Sequence, residues 1–244
     1  MGHFFHEVFH AFTHADKGIL YLIKELAYRP GIVAQEYIAG KRKKYFNPFT
    51  FFLILAACYV LSGNIFSKPL SIADNRLPVQ IAQITNKQQK TIAIKQYERG
   101  KQVRQFVKKS SNILAMLAVP FFAFYFWLIF KRGPYNYSEH LVANVMFVSF
   151  ANLAFSLVVF PLEAIFRGSF WEPILSVLGF LIQLVYITVA YKQLLRKSGF
   201  FASLKIGAIT LFGLILWIVT TSMGMALYIF QNAQFLNYFK HMGR

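Results

Sequence analysis

The sequence predicts an all-α, polytopic helical membrane protein, with about five transmembrane helices and an N-terminal amphipathic helix lying in the interface. Three observations carry that reading. The chain of 244 residues is 57% hydrophobic and only 14% charged, where a soluble domain carries about 25% charged residues. Its apolar residues collect into repeated runs of about 18 to 25 residues, the length that crosses a bilayer. The basic residues lie almost wholly between those runs.

The formal charge of +17 comes from 26 Lys and Arg against 9 Asp and Glu. Contact with anionic headgroups is worth about 1 kcal/mol per Lys or Arg near a membrane surface. Membrane lipids are therefore the expected partners, and nucleic acid is not expected. Cys58 is the single cysteine and sits in an apolar run, which rules out an intrachain disulfide or a zinc–thiolate cluster. The first residues lack the charged, apolar and small-residue order of a signal peptide, so targeting is expected to fall to the first span.

Residues 1–48 read as amphipathic interfacial helices followed by a basic segment leading into the membrane. At 100° per residue, Phe4, Phe5, Val8, Phe9 and Phe12 make one stripe, and His3, His6, His10 and His14 the opposite one. Such a helix lies in the interface with its aromatic face among the acyl chains. Asp16 and Gly18 are expected to break it, and a second amphipathic set runs from Ile19 to Ala27. Arg29-Pro30-Gly31 reads as a helix stop and restart. Ile32 to Ala39 is a short helix that Gly40 can cap.

Residues 49–244 are read as a transmembrane helical bundle with a polar, basic insert at 67–112. The spans are expected at 49–66, 113–130, 141–162, 174–191 and 206–230. Pro48 suits a first helical turn, and the 18 residues of 49–66 reach about 27 Å. The insert holds ten basic residues, and within it Gln96 to Ser110 is compatible with a helix running into the second span. Pro120 is a candidate kink. No internal repeat of the kind found in inverted-repeat transporters is present.

Orientation divides two ways. With five spans and a cytoplasmic N-terminus, Lys and Arg split 13 and 13 between the two sides. If 49–66 instead dips in and returns, the split is 20 and 6, which satisfies the positive-inside rule. A re-entrant backbone must be buried in protein. Five spans with a cytoplasmic N-terminus is the working expectation.

Candidate site residues fall into four groups. His6, His10 and His14 share one face at spacings that can hold a metal ion, Zn or Fe, with His140 as a conceivable further ligand. His6-Glu7-Val8-Phe9-His10 even has the bare two-histidine, one-glutamate zinc-protease spacing. The alternative is that these imidazoles form the polar side of an interfacial helix. Glu139 and His140, at the border of the third span, are a possible functional pair for a metal, a proton or a headgroup; otherwise Glu139 is an acid favoured by the helix dipole. Lys41, Arg42, Lys43, Lys44 and Tyr45 read as lipid or interface contacts, with Arg42 and Tyr45 able to grip a phosphate. In the third span Asn152, Ser156 and Glu163 share a face, read chiefly as interhelical glue, with Arg167 a partner for Glu163.

Several stretches resemble a family of bacterial membrane proteins named only as a domain of unknown function, DUF3667. They are Phe12-Thr13-His14-Ala15-Asp16-Lys17-Gly18, Arg29-Pro30-Gly31, Glu36-Tyr37-Ile38-Ala39-Gly40-Lys41-Arg42, Tyr45-Phe46-Asn47-Pro48-Phe49 and Tyr137-Ser138-Glu139-His140-Leu141-Val142. The resemblance implies a multi-pass protein of the bacterial inner membrane, of the type common in Bacteroidota, and implies no reaction. Members often carry a cysteine-rich zinc ribbon ahead of this region. With one cysteine and a start close to the histidine stripe, this chain is not expected to have it.

Two functional expectations follow. The first is a helical bundle that binds lipid, a solute or a protein, in which a homo-oligomer or another membrane protein is a further partner and no cofactor is needed. The second is a metal-dependent hydrolase acting on lipid or peptide at the interface through the histidine stripe.

Overall fold

The computed structural model describes residues 18–66, 78–109 and 111–230. The expected interfacial helix and its stripe His3, His6, His10 and His14 lie outside them. All regular structure among the described residues is helical. The helices are α1 (18–28), α2 (Pro30–Ile38), α3 (Pro48–Phe66), α4 (Val79–Ala82), α5 (Lys87–Lys109), α6 (Ser111–Ile129), α7 (Tyr137–Ala154), α8 (Phe160–Ile165), α9 (Trp171–Leu194) and α10 (Phe200–Phe230). A 3-10 turn, Arg42–Lys44, precedes α3, and a π turn, Phe155–Val159, joins α7 to α8.

Among the described residues, four helical stretches are long and apolar enough to cross a membrane: Arg42–Phe66, Tyr137–Ile165, Trp171–Leu194 and Phe200–Phe230. The chain is thus a multi-pass helical membrane protein. The expected second span is a shorter apolar helix, Met116–Ile129, with Pro120 in the interior of α6. The observed helices also overrun the apolar runs. The third extends to Ile165 through the π turn, which absorbs the register change ahead of Pro161. Leu53, Ile65, Val185, Phe201 and Phe212 point outward from the spans, as lipid-facing side chains do.

The chain forms two compact units. The first combines residues 1–67 and 115–213. In it α3 and α7 run parallel, since Phe52 packs with Val145 and Val148 near their beginnings while Ser62 Oγ donates to the Ser156 carbonyl further on at 2.7 Å. Asn47 caps α3, its side-chain oxygen accepting from the Phe49 and Thr50 amides, with Pro48 in the first turn where its missing N–H costs nothing. α3 is one unbroken helix of 19 residues, without the turn that a dip-and-return path inside 49–66 requires. In α1, whose first described residue is Gly18, the apolar set Ile19, Leu22 and Leu26 is buried.

The second unit combines residues 68–114 and 214–244. Asn86 caps α5 through the Gln88 and Gln89 amides, and α5 lies against the end of α10. Arg99 donates to the Ile229 carbonyl at 3.2 Å, and the Tyr228 hydroxyl to Gln102 Oε1 at 3.0 Å. The helix is longer than the expected 96–110, reaching back to Lys87.

Candidate functional site

One end of the first unit gathers helix ends from distant parts of the chain, and the joints that gather them are specific. α2 lies across the end of α9. Its Gly31 amide donates to Gln193 Oε1 at 3.0 Å, and Gln35 Nε2 donates to the carbonyls of Gln193 and Leu194 at 2.6 and 2.9 Å. Those carbonyls belong to the last turn of α9, where helical partners run out, and the Gln193 carbonyl also accepts from the Arg196 amide. A Cβ on Gly31 would stand 2.3 Å from the Ala190 oxygen and 2.4 Å from the Leu194 nitrogen, so only glycine lets the two backbones approach this closely.

Beneath α2, three polar side chains meet in the core. His140, in the first turn of α7, is 1% exposed. Its ring stacks on Tyr191 at 5.9 Å between centroids, and its Nδ1 lies 3.4 Å from the Tyr191 hydroxyl. Asn144, one turn on, donates to that hydroxyl at 2.5 Å and to the His140 carbonyl at 2.8 Å. The Tyr191 ring also stacks on Phe126 of α6, with centroids 3.7 Å apart. This cluster ties the beginning of α7 to the ends of α6 and α9. Burying hydroxyl, amide and imidazole together is tolerable because they satisfy one another; within this cluster His140 Nε2 is buried without a protein partner among the described residues, as is Asn152 Nδ2 further along α7.

Glu139, next in sequence, has a different partner. It accepts from the Asn136 amide at 2.7 Å while Asn136 Oδ1 accepts from the Glu139 amide at 3.0 Å, the reciprocal capping box of a helix start. The candidate pair Glu139 and His140 is thus adjacent in the chain but divided in contacts: one side chain caps α7 and the other enters the core.

The basic segment Lys41–Lys44 is organised by one acid. Glu36 accepts from Tyr45 Oη at 2.5 Å and from Lys44 Nζ at 2.7 Å, with Lys41 Nζ at 3.5 Å. These hydrogen bonds, Lys44 first, hold the Glu36 carboxyl down at about 2 from its ordinary 4.5. Tyr45 is buried and stacks on Tyr21 at 6.0 Å. Arg42 lies over the Tyr37 ring at 5.9 Å, and Lys43 is exposed.

Two helices at this end close with the same six-residue cap. After α2, the Gly40 amide bonds the Tyr37 carbonyl and the Lys41 amide the Glu36 carbonyl. After α9, the Arg196 amide bonds Gln193 and the Lys197 amide bonds Lys192. Both are Schellman motifs, which place one residue in the left-handed region. Gly40 takes it at φ +95° without strain, whereas Arg196 takes it at φ 52°, at a cost of roughly 1–2 kcal/mol for an L-residue with a side chain. Arg196 faces Tyr135, whose phenol burial raises above its ordinary value and the guanidinium partly lowers again.

Two clefts open beside these caps. A groove of about 720 Å³ runs between α9 and α10, walled by Leu184, Val185, Leu204 and Leu211 and closed at the polar end by Lys192 and Lys197. There Lys192 Nζ donates to Ser203 Oγ at 2.7 Å. A second cleft of about 610 Å³, lined by Lys131, Arg132 and Pro134 from the loop before α7, shares Lys197 with it. Lys131 also lies over the Trp127 ring at 5.9 Å.

Of the residues singled out from the sequence, Lys41–Tyr45 and His140 converge on this end. His6, His10 and His14 are outside the described residues, among which no group of three or more His, Cys, Asp and Glu could hold a metal ion. Asn152 and Ser156 are buried, and Ser156 bonds the Asn152 carbonyl at 2.8 Å. The expected Glu163–Arg167 pair is not formed: Glu163 accepts from Ser176 Oγ at 2.7 Å, and Arg167 donates to the Phe66 carbonyl. α9, through Ser176, and the end of α3, through Phe66, offer nearer partners than the next turn of the same helix. Gln35, Gln193, Tyr191 and Lys197 were not singled out, because each acquires its role from a partner many residues away.

A family model described as a protein of unknown function, DUF3667, matches residues 16–60, which span α1, α2, the basic turn and most of α3. No curated protein and no solved structure matches the chain.

Proposed function

We propose that this chain is a lipid-engaging membrane bundle whose basic end holds anionic headgroups. The observation that carries the reading is the convergence at one end of Lys41–Lys44, Lys131, Arg132, Lys192, Arg196 and Lys197 from three separate stretches of sequence. α2 rests on the last turn of α9, His140 of α7 on Tyr191 of α9, and Lys192 on Ser203 in the first turn of α10. The described acids of this end are already engaged, Glu25 with Arg29, Glu36 with Lys41 and Lys44, and Glu139 with its own cap. A net positive surface flanking apolar spans attracts anionic lipid.

The same convergence supports a cytoplasmic placement of this end, and with it of residues 18–48, under the positive-inside rule. The likeness to DUF3667 over residues 16–60 supports a bacterial inner membrane. The reading as a metal-dependent hydrolase rests on His6, His10 and His14, to which the described residues add only His140, enclosed by Tyr191 and Asn144.

The test is the thermal midpoint of the purified full chain in neutral detergent, with phosphatidylglycerol or phosphatidylcholine added. A ligand that binds only the native state raises the midpoint. The expected result is stabilisation by phosphatidylglycerol that exceeds that by phosphatidylcholine and weakens with salt; equal effects of the two lipids overturn the proposal.

A further inference from the structure

We propose that the groove between α9 and α10 is a discrete site for one anionic glycerophospholipid, with its phosphate between Lys192 and Lys197 and an acyl chain along the groove. This rests on the reading of the basic end as lipid-binding and assigns it a defined pocket.

The dimensions fit a chain entering from the headgroup level. From Lys192 back to Leu184, and from Ser203 on to Leu211, each wall is eight residues long, about 12 Å of helix. One leaflet of hydrocarbon is about 15 Å deep. The groove therefore starts at the charged border and ends inside the same leaflet. Its floor is kept open by small side chains, Gly207 and Ala208, on the α10 side. Its walls are leucine and valine and give an acyl chain apolar contact, whereas a soluble ligand would gain little from them.

The polar end has the complementary charge. Lys192 donates to Ser203 Oγ, and among the described residues neither Lys192 nor Lys197 has an ion-pair partner. An ammonium held at the edge of an apolar groove without a carboxylate calls for an anion from outside the protein. A phosphodiester can accept from both lysines, while the Ser203 hydroxyl, which donates to the Gly199 carbonyl, holds Lys192 in place. Because Lys197 also lines the neighbouring cleft, the rest of the headgroup has a polar path toward Lys131 and Arg132. A second copy of this chain is a poorer occupant, since it would bring the same lysines together at the same depth.

Arg196 adds an independent sign. The α9 cap needs a left-handed residue, which glycine supplies without strain at the equivalent place after α2. A guanidinium stands there instead, next in sequence to Lys197, and adds to the positive charge of this end.

The experiment uses the full chain in phosphatidylcholine nanodiscs doped with phosphatidylglycerol, followed by detergent exchange and counting of retained lipids by native mass spectrometry. The wild type is expected to keep one phosphatidylglycerol that resists exchange. K192Q/K197Q should hold it on the order of thirtyfold more weakly, from about 1 kcal/mol for each lysine. A208W, which fills the groove and leaves both lysines, should lose it too. K87Q/K95Q, at two exposed lysines of α5, should keep the resistant lipid. Retention unchanged in K192Q/K197Q overturns the site whether or not A208W folds. If phosphatidylglycerol still outcompetes phosphatidylcholine but K192Q/K197Q holds as well as wild type, the groove fails and the basic end stands. If the wild type shows no preference between the two lipids, both fail.

Discussion

The Gly31 amide donates to the Gln193 side chain at 3.0 Å, across 162 residues of sequence. That bond and the close backbone approach beneath it lock α2 onto the end of α9. They explain why the chain turns at Arg29-Pro30-Gly31: Pro30 opens the helix, and Gly31 lets it touch its neighbour. G31A should therefore be costly, although alanine is the better helix former by about 1 kcal/mol. Its methyl would meet backbone atoms that cannot rotate away, so a loss of about 1–3 kcal/mol is expected. A lower unfolding midpoint in detergent, against an unchanged exposed control such as K43A, checks it.

Tyr191 joins α6, α7 and α9 through ring and hydroxyl separately, and two substitutions separate the contributions. Y191F removes the hydroxyl that accepts from Asn144 and leaves a buried amide short of a partner, at about 1–3 kcal/mol. Y191A also removes the ring stacked on Phe126 and should cost about 3–5 kcal/mol. Equal midpoints for Y191F and wild type would show that the hydroxyl contributes nothing.

Glu36 makes this end sensitive to acid. Its folded carboxyl lies at about 2, below its ordinary 4.5, because the charged form is hydrogen-bonded to Lys44 and Tyr45. A depressed acid contributes stability above its unfolded value and loses it as pH falls toward the folded one. Wild type should therefore exceed E36Q in stability by a constant margin above about pH 4.5, and the margin should close toward pH 2. Midpoints of both proteins across that range provide the check; a margin independent of pH would refute it.

Arg196 predicts a gain. R196G places the residue that the left-handed cap prefers, and stability should rise by about 1 kcal/mol. The same change should weaken retention of anionic lipid. A fall in stability would mean that the guanidinium contributes more to the fold than its backbone costs.

Much of the fold was legible because apolar runs of bilayer length have few alternatives. The start of α3 was legible too, since Pro48 suits a first helical turn, whereas α7 begins at Tyr137, four residues ahead of the expected span, through the Asn136–Glu139 capping box. The ends were not: α9 continues past Tyr191 to Leu194, where Gln35, 158 residues away in sequence from Gln193, bonds the last carbonyls alongside the Arg196 amide. The π turn at Phe155–Val159 has no local sequence mark. In the site, Lys41–Lys44 could be read as a lipid contact from charge alone, but the bonds of Lys44 and Tyr45 to Glu36 depend on how the chain turns back after α2. His140 looked like half of a pair with Glu139 because neighbours in sequence were the only neighbours visible; its ring partner, Tyr191, is 51 residues away.

The central claim is that the basic end selects anionic lipid. It is tested most directly by identifying the lipids that remain on the full chain after purification in mild detergent, beside K131Q/R132Q/K192Q/K197Q. The account predicts anionic phospholipid enriched over its share of the host membrane in the wild type, and that enrichment lost in the variant. Retained lipid that matches the membrane's own composition in both proteins would contradict it.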